Sequence, residues 1–243
     1  MKKIIIVLCL LSLSIQAQKK VDHQQLIWYG YYNQLKINSN WTVLSEIQER
    51  HFIQPFAQHQ LVFRANVERK LVDNINGSVG MTYFLQSPNN PEAASKFVVP
   101  ELRPDIGFSS KKKYKGFGIN HRYKLEARFF HQTDGNELRG GFVFSNLRFR
   151  YQLGFDFPLV TKADKEVLVF KLKDEVIFNT GGSIVKNVFD QNRIYATLNY
   201  RINKDFAVEA GYMNWFQQKN TGDEFYDRDI IRFSVYHNID LSK

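Results

Sequence analysis

Residues 117–130 read FGINHRYKLEARFF, and this stretch decides the fold class. Apolar and charged side chains alternate along it, so one face is aromatic and aliphatic while the other is ionised. A period of two over this length indicates a β-strand with one polar face. The apolar positions are Phe117, Ile119, Tyr123, Leu125, Ala127 and Phe129, and the charged positions are Arg122, Lys124, Glu126 and Arg128.

The same alternation continues along the rest of the chain, where we find no convincing helical periodicity after residue 25. The sequence predicts an all-β protein with eleven candidate strands. If these strands close into a bacterial membrane barrel, whose strand number is normally even, we expect twelve strands, within a range of ten to twelve. The clear strands are 41–50, 60–69, 117–130, 146–153, 168–179, 193–202 and 231–241, and the weaker ones are 26–36, 77–86, 101–110 and 206–217.

Two architectures produce this alternation: a soluble β-barrel or sandwich with an apolar interior, and a membrane barrel with an apolar exterior. Three features favour the membrane barrel. The strands are long enough to cross a bilayer when tilted, and aromatic residues gather near their ends. Short turns also alternate with longer links such as 87–98 and 181–190. We therefore predict a single closed antiparallel transmembrane β-barrel, with a bulge at Pro104 because proline interrupts a strand ladder.

The N-terminus has the pattern of a secretory signal peptide. A basic start, Met1–Lys3, precedes the apolar run Ile4–Leu13, and Ala17 supplies the small residue before a cleavage site. This predicts a signal peptide over residues 1–17 and an outer-membrane β-barrel domain over 18–243. The chain has 243 residues, a formal net charge of +9 and one cysteine, Cys9, so a disulfide framework is excluded.

The ionised strand faces are expected to line the lumen, where acid and base on neighbouring strands pair. A turn near Lys113, between the predicted strands 101–110 and 117–130, would place Asp105 opposite Arg122. A salt-bridged plug and a narrow path that favours anions both fit this composition. The lumen-lining candidates are Glu46, Arg50, Arg64, Glu101, Arg103, Arg122, Glu126, Arg128, Arg148, Arg150, Glu175 and Arg193.

Several short motifs follow one another in a fixed order: Glu46-x-Gln48-x-Arg50, Arg64, Gly80-x-x-Tyr83, Pro100-Glu101-x-Arg103, Arg122-x-x-x-Glu126-x-Arg128, Arg148-x-Arg150, Gln191-Asn192-Arg193 and Gly211-Tyr212. This pattern resembles the domain-of-unknown-function 2490 family of predicted outer-membrane β-barrels from Gram-negative bacteria. The resemblance covers roughly residues 25 to 240 and implies this fold and location, without any settled activity. The chain departs from many outer-membrane barrels in ending Leu241-Ser242-Lys243 instead of with an aromatic residue.

Catalytic and metal-binding patterns are weak. His121 and Ser145 share the apolar parity of adjacent strands, but a turn near Gly135 would separate them by about 13 Å, beyond hydrogen-bond reach. The remaining histidines have no ligand spacing. The basic run Lys111–Lys113 is read as a solvated turn near lipid phosphates, not as a nucleic-acid site. We therefore expect no enzyme activity, no catalytic residue, no metal and no cofactor.

The sequence thus predicts a non-enzymatic outer-membrane protein, either structural or one that passes or binds a small solute through its charged lumen. The expected partners are outer-membrane lipid, lipopolysaccharide and the barrel-insertion machinery, without nucleic acid. One alternative is an outer-membrane enzyme that modifies lipid. Another is a soluble exported β-barrel that binds an apolar ligand.

Overall fold

The computed structural model describes residues 20–182, 184 and 186–242, and the predicted signal peptide over 1–17 lies outside this part. The described residues form one closed β-barrel and contain no helix. Each of the eleven predicted segments is a strand, which confirms the all-β fold. The strands are β1 (Lys20–Lys36), β2 (Trp41–Phe52), β3 (Ala57–Val72), β4 (Ile75–Gln86), β5 (Val99–Tyr114), β6 (Phe117–Asp134), β7 (Glu137–Lys162), β8 (Lys165–Thr180), β9 (Phe189–Arg201), β10 (Phe206–Gln218) and β11 (Glu224–Asp240).

The barrel closes with eleven strands in the described residues, so the expectation of twelve is wrong for this part of the chain. Residues 20–36 form one continuous strand and do not contain the extra one. An odd number of strands leaves the first and the last running in the same direction. β1 and β11 accordingly pair in parallel, from Lys20 opposite Glu224 to Lys36 opposite Asp240. The other ten neighbouring pairs are antiparallel.

We call the end of the barrel where β1 begins the upper end, and the opposite end the lower end. Every connection at the lower end has four residues or fewer, from 37–40 to 202–205. Connections at the upper end are more varied and include the long links 87–98 and 181–188. The β6–β7 hairpin also belongs to the upper end, and β7 is the longest strand with 26 residues.

The strand registers differ from those predicted. Asp105 lies opposite Glu126, because the turn falls at residues 115–116 and not near Lys113. In the next hairpin, the predicted turn near Gly135 would place Leu125 opposite Ser145. Leu125 instead lies opposite Phe149, because two register shifts interrupt the β6–β7 ladder. A bulge at Pro104 is not formed. Pro104 leaves a gap in the β5–β6 ladder without a shift of register, since proline has no backbone N–H to donate.

The barrel is apolar outside and largely ionised inside. On β7, Phe149 is 42% exposed whereas its neighbour Arg150 is 7% exposed, and on β8 Phe178 is 38% exposed whereas Glu175 is fully buried. This is the reverse of a soluble barrel, in which the apolar faces meet inside. Side chains from strands two apart, such as Asn66 on β3 and Asp105 on β5, hydrogen-bond to each other, as only the concave face allows.

One part of the interior is apolar, which the sequence reading did not anticipate. Seven buried residues from β1, β2, β9, β10 and β11 form a cluster near the upper end of the β1–β11 seam. The rings of Trp28 and Trp215 meet edge to face there, with centroids 5.7 Å apart. The cluster consists of Leu26, Trp28, Phe52, Tyr195, Met213, Trp215 and Ile230. Over residues 20–182, 184 and 186–242, the chain contains no helix long and apolar enough to cross a membrane.

Candidate functional site

The twelve lumen-lining candidates all have side chains that are buried or partly buried in the barrel. They come from strands β2, β3, β5, β6, β7, β8 and β9, so the parity of each of these strands places its charges on the concave face. The buried ones are Arg50, Glu101, Arg103, Glu126, Arg148, Arg150, Glu175 and Arg193, and the partly buried ones are Glu46, Arg64, Arg122 and Arg128.

An ion-pair network occupies the middle of the lumen. Arg150 donates to Glu126 at 2.6 Å and to Glu175 at 2.8 Å, and Arg122 donates to Glu175 at 2.8 Å. Arg193 adds a longer contact of 3.8 Å to the same Glu175 carboxylate. One carboxylate therefore serves three arginines. Charge pairing of this kind lowers the cost of burying ions away from water.

Two further ion pairs extend this network around the lumen. Arg64 on β3 donates to Glu46 on β2 at 2.5 Å, and Lys124 on β6 donates to Asp105 on β5 at 2.6 Å. Asn66 donates to the same Asp105 oxygen at 2.9 Å. These groups tie four strands together across the inside of the barrel.

A second ion-pair group lies nearer the upper end and is centred on Glu101. This fully buried carboxylate accepts hydrogen bonds from Arg103 and Arg128, each at 2.5 Å at its closest, and from Gln86. The Arg103 guanidinium lies 3.8 Å from the centroid of the Phe84 ring, which stabilises the cation on its second face. Glu101 is thus fully engaged by the strands around it.

The network closes the lumen at mid-height. Glu126 is 1% exposed and Glu175 is fully buried, so water does not reach these carboxylates from either end. A cavity of about 420 Å³ opens at the upper end and one of about 920 Å³ at the lower end. The two cavities share no lining residue. A smaller cavity of about 210 Å³ beside Glu46 and Arg64 shares lining residues with the lower cavity and none with the upper one. The interior is therefore an upper vestibule and a lower vestibule with this extension, separated by a salt-bridged layer.

The two vestibules differ in the cations that line them. Lysines dominate the lower one, where Lys111 pairs with Asp156 at 2.7 Å and Lys171 pairs with Glu209 at 3.1 Å. Arginines dominate the upper one: Arg50, Arg103, Arg128, Arg148 and Arg193. Arginine presents a planar fork of donors that fits an oxyanion in a way that a lysine ammonium does not.

The sequence reading missed one residue that lines the upper vestibule, Asp190, and one that lies beside it, Arg228. Asp190 pairs with Arg148 at 2.9 Å and belongs to the start of β9, which was read as part of a link. Arg228 is fully buried on β11, where the predicted strand began only at residue 231. Continuing the period of two back from Arg232 by two steps reaches Arg228, so the signal for it was present.

The Ser–His arrangement considered for lipid hydrolysis is not assembled. His121 lies opposite Leu153 and accepts or donates a 3.0 Å hydrogen bond with the Tyr151 hydroxyl. Ser145 lies eight residues from Leu153 on the same strand, about 26 Å away at strand spacing. The pair is thus farther apart than the sequence register predicted. Within the described residues, no group of three or more His, Cys, Asp or Glu side chains is placed to hold a metal ion.

Comparison with known proteins gives one match. The family DUF2490, described as "Protein of unknown function", matches residues 25–226. No curated protein and no solved structure matches the chain. The matched segment begins within β1 and ends within β11, so it includes part or all of every strand of the barrel. The chain therefore belongs to the DUF2490 family, and this membership confirms the resemblance that the sequence motifs carry.

Proposed function

We propose that this protein is a non-enzymatic β-barrel of the bacterial outer membrane whose closed interior binds a small solute in a vestibule. The observation that carries the proposal is the inverted polarity of the wall. Aromatic and aliphatic side chains such as Phe149 cover the outer face, and ions such as Glu175 fill the inside. In water such a continuous apolar exterior is unfavourable, whereas hydrocarbon solvates it.

Closure of the sheet supports the membrane location further. Every backbone amide in a lipid-exposed strand needs a partner, and an open sheet edge leaves some without one. The parallel pairing of β1 with β11 removes the edge. Outer-membrane lipid and lipopolysaccharide are then the partners of the outer face, and the barrel-insertion machinery is the partner during assembly. Export through a signal peptide at residues 1–17 is part of the same proposal.

The charged layer at mid-height supports binding over conduction. A porin keeps a water-filled channel, whereas here Glu126 and Glu175 are closed to water from both ends. An apolar ligand is disfavoured because arginine and amide side chains form most of the upper vestibule. A lipid-modifying activity has no supporting geometry in the described residues, since His121 and Ser145 do not meet.

The location is tested by fractionation of cell envelopes together with gel migration of boiled and unboiled samples. We expect recovery in the outer-membrane fraction, release only with detergent, and faster migration of the unboiled barrel. Recovery in the soluble periplasmic fraction would refute the membrane location. Planar-bilayer recording of the purified protein tests the closed interior: we expect no steady ionic current, and a stable open-channel current would show that the lumen conducts.

A further inference from the structure

The upper vestibule lies beside a group of arginines that the described carboxylates neutralise weakly or not at all. Arg50, Arg193, Arg228 and Arg232 surround the Trp28–Trp215 ring pair, and we call these four residues the arginine cluster. The guanidinium carbons of Arg193 and Arg228 lie 4.6 and 4.4 Å from the Trp215 ring centroid. Those of Arg50 and Arg232 lie 3.8 and 5.9 Å from the Trp28 ring centroid.

Most of these arginines have neutral partners. Arg50 bonds to the amide oxygens of Gln48 and Gln60, and Arg228 bonds to those of Gln24, Gln217 and Asn89. Arg232 donates to the Tyr32 hydroxyl. None of these three has a carboxylate of the described residues within ion-pair distance. Burial of a cation without a counter-charge is costly, so the absence of carboxylates leaves a need for negative charge.

Arg193 is only weakly neutralised. Its sole carboxylate contact within ion-pair distance, among the described residues, is the 3.8 Å approach to Glu175, which Arg122 and Arg150 already share. The indole nitrogens of Trp28 and Trp215 are buried without a hydrogen-bond partner as well. The region therefore has more hydrogen-bond donors than acceptors, and more positive charge than negative charge.

The cavity beside the arginine cluster has the size and wall of a ligand site. Its volume of about 420 Å³ falls within the range of small-molecule pockets. Arg50 and Arg193 line it, and among its described lining residues the only carboxylate is Asp190, which Arg148 already engages. Asparagine and glutamine side chains, such as Asn146, form the largest share of the remaining wall. Amides both donate to and accept from hydroxyl groups.

We infer that the upper vestibule binds a hydroxylated organic anion, a sugar acid or sugar phosphate, with its oxyanion held by Arg50 and Arg193 and its hydroxyls held by the amide wall. A guanidinium donates two parallel hydrogen bonds to a carboxylate or phosphate, and the added negative charge offsets the surplus of the arginine cluster. This inference rests on the proposed solute-binding function and names the class of solute.

Tryptophan fluorescence tests the inference, because the arginine cluster surrounds Trp28 and Trp215 and the chain has one other tryptophan, Trp41. The Trp41→Phe protein, folded in detergent, is titrated with glucuronate, with glucose 6-phosphate and with glucose. We expect a saturable change with at least one anion and none with glucose. The preferred anion distinguishes a carboxylate from a phosphate ligand.

Substitutions then locate the site. Arg50→Gln and Arg193→Gln are each expected to raise the dissociation constant by about ten-fold or more, the effect of losing charged hydrogen bonds. Arg201→Gln, an exposed position at the lower end, is the matched control and leaves binding unchanged. Heat-modifiable migration of each variant verifies folding. Where a variant does not fold, the comparison of anion with glucose on the parent protein decides.

In the titrations of the parent protein, two results would overturn the inference: an equal response to glucose and to both anions, or no response to any of them by a correctly folded barrel. Unaltered affinity in the folded Arg50→Gln and Arg193→Gln proteins would place the anion elsewhere and also contradict it. A membrane-bound barrel that binds neither anion keeps the proposed location and removes this inference. Recovery of a soluble protein that binds an anion would refute the proposed membrane location and keep this inference.

Discussion

Replacement of Glu175 by glutamine tests whether the middle of the lumen is dry. The side chain keeps its size and one acceptor oxygen but loses its charge. In the native barrel, Glu175 is fully buried and receives Arg122 and Arg150 at 2.8 Å and Arg193 at 3.8 Å. After the substitution, Glu126 remains the only carboxylate, among the described residues, within ion-pair distance of any of these three arginines.

The expected loss follows from these distances. At an effective dielectric constant of about 20, the buried 2.8 Å contact with Arg150 contributes roughly 6 kcal/mol of attraction. The contact with Arg122, whose side chain is 38% exposed, contributes less because water screens it. Against this, the neutral glutamine avoids the desolvation cost of the carboxylate, which is several kcal/mol. Removal of one partner from a buried ion pair typically costs about 3–5 kcal/mol. We expect Glu175→Gln to lower the free energy of unfolding by that amount.

The assay is urea unfolding of the barrel in phospholipid vesicles, followed by tryptophan fluorescence. Glu166→Gln is the matched control, because Glu166 pairs with the exposed Lys113 at the lower end. That change is expected to cost less than about 1 kcal/mol. Equal losses in the two variants would refute the reasoning, since they would mean that water reaches Glu175 and screens its charges as it does at the surface.

Two further substitutions test the wall itself. Gly80→Ala is expected to destabilise the barrel by about 1–3 kcal/mol, because a Cβ there would lie 2.5 Å from the carbonyl oxygen of Ala65. Gly141 has open space around it, so the control variant Gly141→Ala should unfold at the same urea concentration as the native protein. Phe149→Arg is expected to cost about 2–4 kcal/mol in vesicles if this outer face meets the bilayer interior, and Leu241→Arg, beyond the end of β11, about 0–1 kcal/mol. Equal effects of the two arginines would argue against a membrane around the wall.

Strand positions and the direction of side chains could be predicted because both depend on local periodicity. Each of the eleven alternating segments is a strand, and residues such as Glu175 and Phe178 lie on the faces that their parity predicts. The correction to twelve strands failed because it relied on the usual even number in bacterial barrels. Parity within one strand carries no information about how the first and last strands meet.

Strand registers could not be predicted, because they depend on turns and bulges. In β5–β6 the turn falls where Gly116 adopts a φ of +90°, two residues beyond the predicted centre, and this moves every pairing by four residues. In β6–β7 the predicted turn at Gly135 is right, but the register shifts after Arg128 and His131 displace the pairs below. The alternation of a sequence does not indicate where such register shifts occur.

The candidate site was predicted in part. The inward arginines and carboxylates follow from parity, but their arrangement into two vestibules depends on which strands face each other. The arginine cluster was not foreseen because Arg228 precedes the predicted start of its strand and Trp28 belongs to one of the four weaker predicted strands. The sequence therefore predicted that charged side chains line the lumen, but it did not predict where the positive charges lack a carboxylate partner.

Because β1 and β11 pair in parallel, tags at the two ends of the barrel domain could reveal its direction of insertion in a membrane. Lys20 lies at the upper end and Asp240 at the lower end, so β1 begins and β11 ends at opposite mouths of the barrel. In a bilayer, an epitope fused before β1 would face one compartment and an epitope fused after β11 the other. Antibody labelling of intact cells would then read the direction of insertion from either epitope, with the other epitope as an internal control. A barrel with an even number of strands has both ends on the same side and offers no such control.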